Sequence, residues 1–237
     1  MTTAYERVIL KLSGESLAGT ARHGYDHDTL RDIAEKLLVA QREGTEIGVV
    51  IGGGNLFRGA TAVADEMERT TADTMGMLAT LMNALALQTV LEALGGRASV
   101  FSAIPFGGLI ESYSPRKALS AFSRGELLIC GGGTGNPFFT TDSAAALRAA
   151  ELGADVVLKA TRVDRVYDRD PERYPDAAPL RRLTYDDVIG RRIEVMDTAA
   201  FTICRDNRIP IVVFNLNAPG SILRALRGEP VGSRIAN

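Results

Sequence analysis

The sequence predicts an α/β protein, a mainly parallel sheet covered by helices on both faces. Three observations carry this. Six short apolar runs, at residues 7–12, 46–51, 98–102, 127–130, 155–159 and 210–214, have the length of buried strands. Helix-like segments separate most of them, and glycine or polar turns punctuate the boundaries. Such alternation builds a parallel sheet sandwiched between helical layers.

The elements follow in chain order. The first strand runs into Lys11-Leu12-Ser13-Gly14. Residues 29–42 form the clearest helix, with Leu30, Ile33, Leu37 and Leu38 near a 3.6 period and Gly44 just beyond its end. The second strand stops at Gly52-Gly53-Gly54-Asn55. Residues 65–94 read as one long helix, and 115–123, 143–152, 184–189, 198–206 and 221–226 supply shorter ones. The fourth strand, 127–130, is followed by Gly131-Gly132-Gly133 and the stretch 134–142, which lies between a buried strand and a helix N-terminus, where open α/β sheets bind ligands. Residues 162–182, rich in Pro, Asp and Arg, read as a long surface loop of functional type.

The 237 residues exceed the ~100–200 of an average domain, yet no linker or composition break divides them, so a single domain of two lobes is expected over 1–237. A hydrophobic share of 46% supports a large core, and a net charge of −2 argues against a broad nucleic-acid-binding face and for a small partner. Cys130 and Cys204 lack any ligand or redox spacing and read as buried thiols of a reducing cytosol. The N-terminus lacks the layout of a signal peptide, so a cytoplasmic protein is expected. Residues 74–91 carry no charge and reach the length of a membrane span, but Thr80, Asn83, Gln88 and Thr89 interrupt them and no aromatic belt or basic flank brackets them. A helix apolar on nearly every side belongs in a core or a subunit contact.

The familiar phosphate-binding signatures are missing: there is no GxxxxGK[ST], and neither glycine cluster completes a GxGxxG with a suitable helix and acid. Anion sites must be built otherwise. Only four of the 27 basic residues are lysines, and two of these, Lys11 and Lys159, fall at strand C-terminal ends. Either can meet phosphate as a point charge or snorkel to solvent from a strand end. A strand-end lysine contributes little to a core, so a Lys11→Ala chain is expected to fold. The glycines at 52–54 let the backbone approach a phosphate, and Arg58 follows with a fork suited to phosphate oxygens, unless the turn is structural and the arginine merely exposed. Asp73 can cap the long helix or meet ribose hydroxyls; Asp142 and Asp197 can each cap the helix that follows or serve catalysis. Pro137-Phe138-Phe139 fits a rigid wall better than core filler. Tyr167 and Asp170 line an adenine site or are simply exposed.

Together, KLSG at 11–14, GGGNLFRG at 52–59 and TGNPFFTTD at 134–142 resemble, in order and nearly end to end, the bacterial UMP kinases of the amino-acid kinase superfamily. The resemblance implies a three-layer α/β/α sandwich, a nucleoside-monophosphate lobe over roughly 1–150 and an ATP lobe over roughly 151–237. It implies phosphoryl transfer from MgATP to UMP, with Mg²⁺ held mainly by ATP phosphates and no dedicated metal ligands. It implies that Lys11, Leu12, Ser13, Gly14, Gly54, Arg58, Lys159, Thr161, Tyr167 and Asp170 serve ATP. Gly53, Asp73, Thr134, Gly135, Asn136, Pro137, Phe138, Phe139, Thr140 and Thr141 would enclose UMP, and Lys11, Arg58, Asp142 and Asp197 would form the catalytic centre. A homohexamer, inhibition by UTP and a possible GTP effector are also implied, although Ala21-Arg22-His23 departs from the Gly/Phe-rich version of GTP-responsive members. The alternatives are a sister kinase acting on an amino acid or carbamate, and a nucleotide-binding regulator without turnover.

Overall fold

The computed structural model describes residues 4–21, 23–64, 66–169, 171, 173–174 and 176–237. Strand β1 (Arg7–Leu12) leads through a 3-10 turn, Gly14–Ala18, to α1 (His27–Arg42), whose first turn is capped by Asp26 accepting from the Thr29 N–H at 2.7 Å. Next come β2 (Glu46–Ile51), α2 (Gly59–Ala64), α3 (Arg69–Ala93), β3 (Ala98–Ser102), β4 (Glu111–Ser112), α4 (Pro115–Ser123) and β5 (Leu127–Gly131). The chain continues through α5 (Thr141–Leu152), β6 (Val156–Thr161), β7 (Val166–Tyr167), β8 (Pro179–Leu180), β9 (Arg182–Leu183), α6 (Tyr185–Gly190), α7 (Thr198–Asp206), β10 (Ile211–Asn215), α8 (Ser221–Leu226) and β11 (Ser233–Ile235).

Nine strands form one sheet in the order β4-β3-β5-β2-β1-β6-β10-β11-β9, and every neighbouring pair is parallel except β10 with β11. The alternation of β1 explains the layering. Val8, Leu10 and Leu12 face a cluster built with Leu37 of α1, Leu81 of α3 and Ile222 of α8, while Ile9 faces one built with Phe122, Ala145, Val188 and Phe201 of α4 to α7. This is the α/β/α sandwich expected, with both sheet faces dry. Cys130 and Cys204 are buried free thiols whose burial pushes each up to about 12.

Two expectations need correction. The long helix begins at Arg69, after the separate short helix α2; position 65, where it was expected to start, lies outside the described residues. The segment 162–182 is not all loop, because β7 and β8 pair antiparallel within it and β9 starts at Arg182. Strands of two residues carry too little periodicity to be read. Helix α3 is, by length and composition, apolar enough to cross a membrane, but, as expected of a core or contact helix, it buries Ala72, Ala79, Leu81, Ala84, Leu87 and Leu91 and turns Met75, Leu78, Met82 and Leu85 outward.

Candidate active site

Lys11 on β1 and Lys159 on β6 are register partners on adjacent parallel strands, so their side chains leave the same sheet face side by side. Both are buried, which removes the reading of solvated strand ends. Burying two like charges together is costly unless a counter-charge lies between them. Asp142, in the first turn of α5, supplies it: Lys11 Nζ is 2.9 Å from Oδ1, and Lys159 donates to Oδ2 at 2.5 Å. Burial alone would raise the Asp142 carboxyl, but the two ammonium groups outweigh it and hold the group below the ordinary aspartate range. Burial lowers Lys159, and the attraction of Asp142 only partly restores it. The three groups sum to one positive charge in a dry site.

Asp142 does not cap α5. Thr140 does, its hydroxyl accepting from the Asp142 and Ser143 N–H groups at 3.0 and 3.4 Å. Asp197 does cap α7, accepting from the Ala200 N–H at 2.8 Å, and it also takes the Ser143 hydroxyl at 2.8 Å and the Thr140 hydroxyl. One carboxylate thereby locks the start of α7 to the start of α5. A cavity of about 710 Å³ opens beside this junction, lined by Asp142, Lys159, Asp197 and Thr198.

The two glycine turns meet at the strand ends. A Cβ on Gly14 would lie 2.5 Å from Gly54 N and 2.8 Å from Gly52 O, so only glycine permits this approach. Gly53 packs on α3, where a Cβ would lie 2.8 Å from that of Ala79. Two buried polar side chains of α3 that the sequence reading did not single out for the site fasten these turns. Asn83 donates to Gly52 O at 2.7 Å and exchanges hydrogen bonds with Asn55, which in turn donates to Gly24 O at 2.9 Å. Thr80 accepts from the Gly132 N–H at 2.7 Å. Polar residues inside an apolar helix were the available signal, since burial without partners would be expensive.

Asp73 is not a helix cap, for it sits inside α3, and its carboxylate accepts the Phe138 N–H at 2.7 Å and the Arg69 guanidinium at 2.8 Å. Phe138 has φ of 70° and stacks beneath Arg69, while Phe138 and Phe139 both lie open to solvent rather than forming a closed wall. Thr134 and Asn136 form a local turn after Gly133 and Gly135 follows the left-handed Gly132 and Gly133, so Thr134, Gly135, Asn136 and Pro137 run as a turn between β5 and α5. Thr141 lies beside Gly52. Arg58 is half-exposed, 3.7 Å from Glu15, whose carboxylate packs against Gly54. Ser13 caps the 3-10 turn and shares a cleft of about 380 Å³ with Thr161, which donates to Val163 O at 2.8 Å. Tyr167 lines a different cavity and donates to Asp164 at 2.6 Å, a bond that raises its pKa. Asp170 lies outside the described residues.

The model of the family described as amino acid kinase matches residues 6–215. Curated relatives called uridylate kinase, from Xanthomonas oryzae pv. oryzae and Xanthomonas euvesicatoria pv. vesicatoria, are each 49% identical over 98% of this chain and 97% of their own. Among solved structures, UMP kinase from Bacillus anthracis superposes with a TM-score of 0.93 at 39% identity, covering 98% of this chain and 96% of that one. UMP kinase from Ureaplasma parvum gives 0.92 at 33% identity over 100% of both chains.

Proposed function

The chain belongs to the amino acid kinase family, and on that premise we propose that it transfers the γ-phosphoryl group of ATP to UMP, giving ADP and UDP for pyrimidine nucleotide synthesis. The observation that carries the reading is the Lys11–Asp142–Lys159 triad at the ends of two central strands, with both glycine turns packed against one another beside it. Phosphoryl transfer asks a protein mainly to align two anionic nucleotides and offset the charge on the migrating group. Lys11 and Lys159 supply that charge, preorganised by a carboxylate that cannot swing away. A UMP phosphate oxygen is already ionised, so no general base is needed.

The division of labour proposed is as follows. Lys11, Leu12, Ser13, Gly14, Gly54, Arg58, Lys159, Thr161 and Tyr167 face ATP. Gly53, Asp73 and residues 134–141 receive UMP, and Asp142 and Asp197 hold the centre together. The first 150 residues then form the monophosphate lobe and the remainder the ATP lobe. Both Asp142 oxygens are engaged by lysines and those of Asp197 by hydroxyls and a backbone N–H, and no cluster of three metal-ligating side chains occurs among the described residues. This donor set fits Mg²⁺ arriving on ATP phosphates, where it would neutralise their oxygens. UTP would inhibit as a product-like ligand, while Ala21-Arg22-His23 leaves a GTP response open, with Arg22 outside the described residues. The apolar stripe of α3 supports assembly into a homo-oligomer, for which we propose a hexamer working in the cytoplasm.

A panel of nucleoside monophosphates, an amino acid and carbamate, each with ATP and Mg²⁺, tests the function. ADP release dependent on UMP is expected. Turnover of an acyl acceptor alone, or UMP binding with no turnover of any acceptor, would overturn it.

A further inference from the structure

A cavity of about 530 Å³ lies away from the triad, lined by Tyr5, Arg165, Arg181, Arg182, Glu229 and Arg234. Arg182 on β9 and Arg234 on β11 are register partners across a parallel pair. Like charges set directly opposite in a sheet repel, and Glu229, the acidic residue lining the hollow, is paired with an arginine outside it. Glu229 is engaged by Arg224 at 2.8 Å, and Arg165 by Asp164 at 2.9 Å. Among the described residues Arg181 and Arg182 make no ion pair, and Arg234 only donates to the Tyr5 hydroxyl at 3.3 Å. A chain with a net charge of −2 has therefore gathered around one hollow three guanidinium groups that make no ion pair among the described residues.

The hollow is separate from the phosphoryl-transfer centre. Val212 of its floor belongs to the sheet face that packs on α1 and α8, whereas Lys159 projects to the opposite face. Tyr5 precedes β1, and the six residues from there to Lys11 span ~20 Å at a strand's rise. Arg165 lines both this hollow and the cavity that holds Tyr167, so one side chain is common to the two.

We propose that this hollow binds a small ligand bearing two or three phosphoryl groups, whose charge bridges Arg182 and Arg234 and whose oxygens take the forked guanidinium donors. The bound polyanion removes the cross-strand repulsion and, through Arg165, biases the β7–β8 hairpin.

Tripolyphosphate is the probe. With UMP and a non-hydrolysable ATP analogue filling the active site, calorimetric titration should show a single equivalent bound per chain. Arg234→Gln should weaken it about tenfold or more, and the Arg182→Gln/Arg234→Gln double variant should abolish it. Neither arginine touches the triad, so UMP turnover without added polyphosphate should be retained. In polyphosphate-free buffer Arg234→Gln should melt above the wild type, and the probe should raise the wild-type midpoint while leaving that of the double variant unchanged. No binding, or binding unchanged in the double variant, overturns the proposal; so does a short RNA that binds more tightly than tripolyphosphate with the same arginine dependence. Should UMP not be a substrate, the contrast between wild type and double variant still decides, because it needs no turnover.

Discussion

Two ammonium groups on neighbouring strands repel each other, and at the depth of Lys11 and Lys159 little water screens them. Asp142 makes their proximity tolerable, so Asp142→Asn should cost about 3 to 5 kcal/mol of stability at neutral pH, the range for removing one partner of a buried pair. Its carboxyl is held below the ordinary range in the folded chain, so the stabilisation is full above the unfolded aspartate pKa and is lost as pH falls through the folded one. Urea unfolding of wild type and Asp142→Asn should therefore converge as pH falls below the ordinary aspartate pKa of about 4; a gap that stayed constant would refute the linkage. Thr80 offers a finer test. Thr80→Val keeps the shape but leaves the Gly132 N–H unpaired, at a cost of ~1–3 kcal/mol, and should raise the KM for UMP more than that for ATP, while Thr80→Ser should restore it. Equal effects on both substrates would reduce the contact to general stability. At this scale the motifs marked Lys11, Asp142 and Asp197 as candidates, by residue type and by position at the end of a strand or the start of a helix. Burial of Lys11, and the cap being Thr140 rather than Asp142, were not legible, since both depend on how α5 docks beside β1.

Helix α3 joins the site to the surface. One face carries Thr80 and Asn83 to the glycine turns after β2 and β5; the other shows Met75, Leu78, Met82 and Leu85, with Met82 56% exposed. A stripe of that kind calls for a covering surface, and a charge placed in it would have to be desolvated. Met82→Glu should shift the protein toward smaller species in light scattering without altering its circular dichroism, whereas an unchanged mass would remove α3 from the interface. The core strands were readable because buried parallel strands are short, continuous apolar runs, and β1, β2 and β3 fall where the sequence set them. β7, β8, β9 and β11 were not: each has two or three residues, several of them polar or proline, and is defined by its neighbour's hydrogen bonds rather than by its own pattern.

For the molecule as a whole, a single sheet brings residues from β1, the turn after β2, α3, the turn after β5 and the start of α7 to the C-terminal ends of its central strands, which no local segment could assemble. The UMP reading adds base selectivity. UMP should exceed CMP in kcat/KM by a wide margin, because exchanging an acceptor for a donor at the pyrimidine 4-position mispairs buried groups, and comparable values would contradict a uracil-specific pocket. The central claim is that phosphoryl transfer takes place at the Lys11–Asp142–Lys159 triad, and the turnover number of Lys11→Ala on UMP tests it most directly. This variant should fold, not because Lys11 is peripheral, as its sequence position implied, but because Lys159 still neutralises Asp142. Its kcat at saturating ATP should fall roughly a hundred- to a thousandfold, the loss expected on deleting one preorganised contact to the transition state. A folded Lys11→Ala protein that phosphorylates UMP at the wild-type kcat would place the chemistry elsewhere and contradict the account.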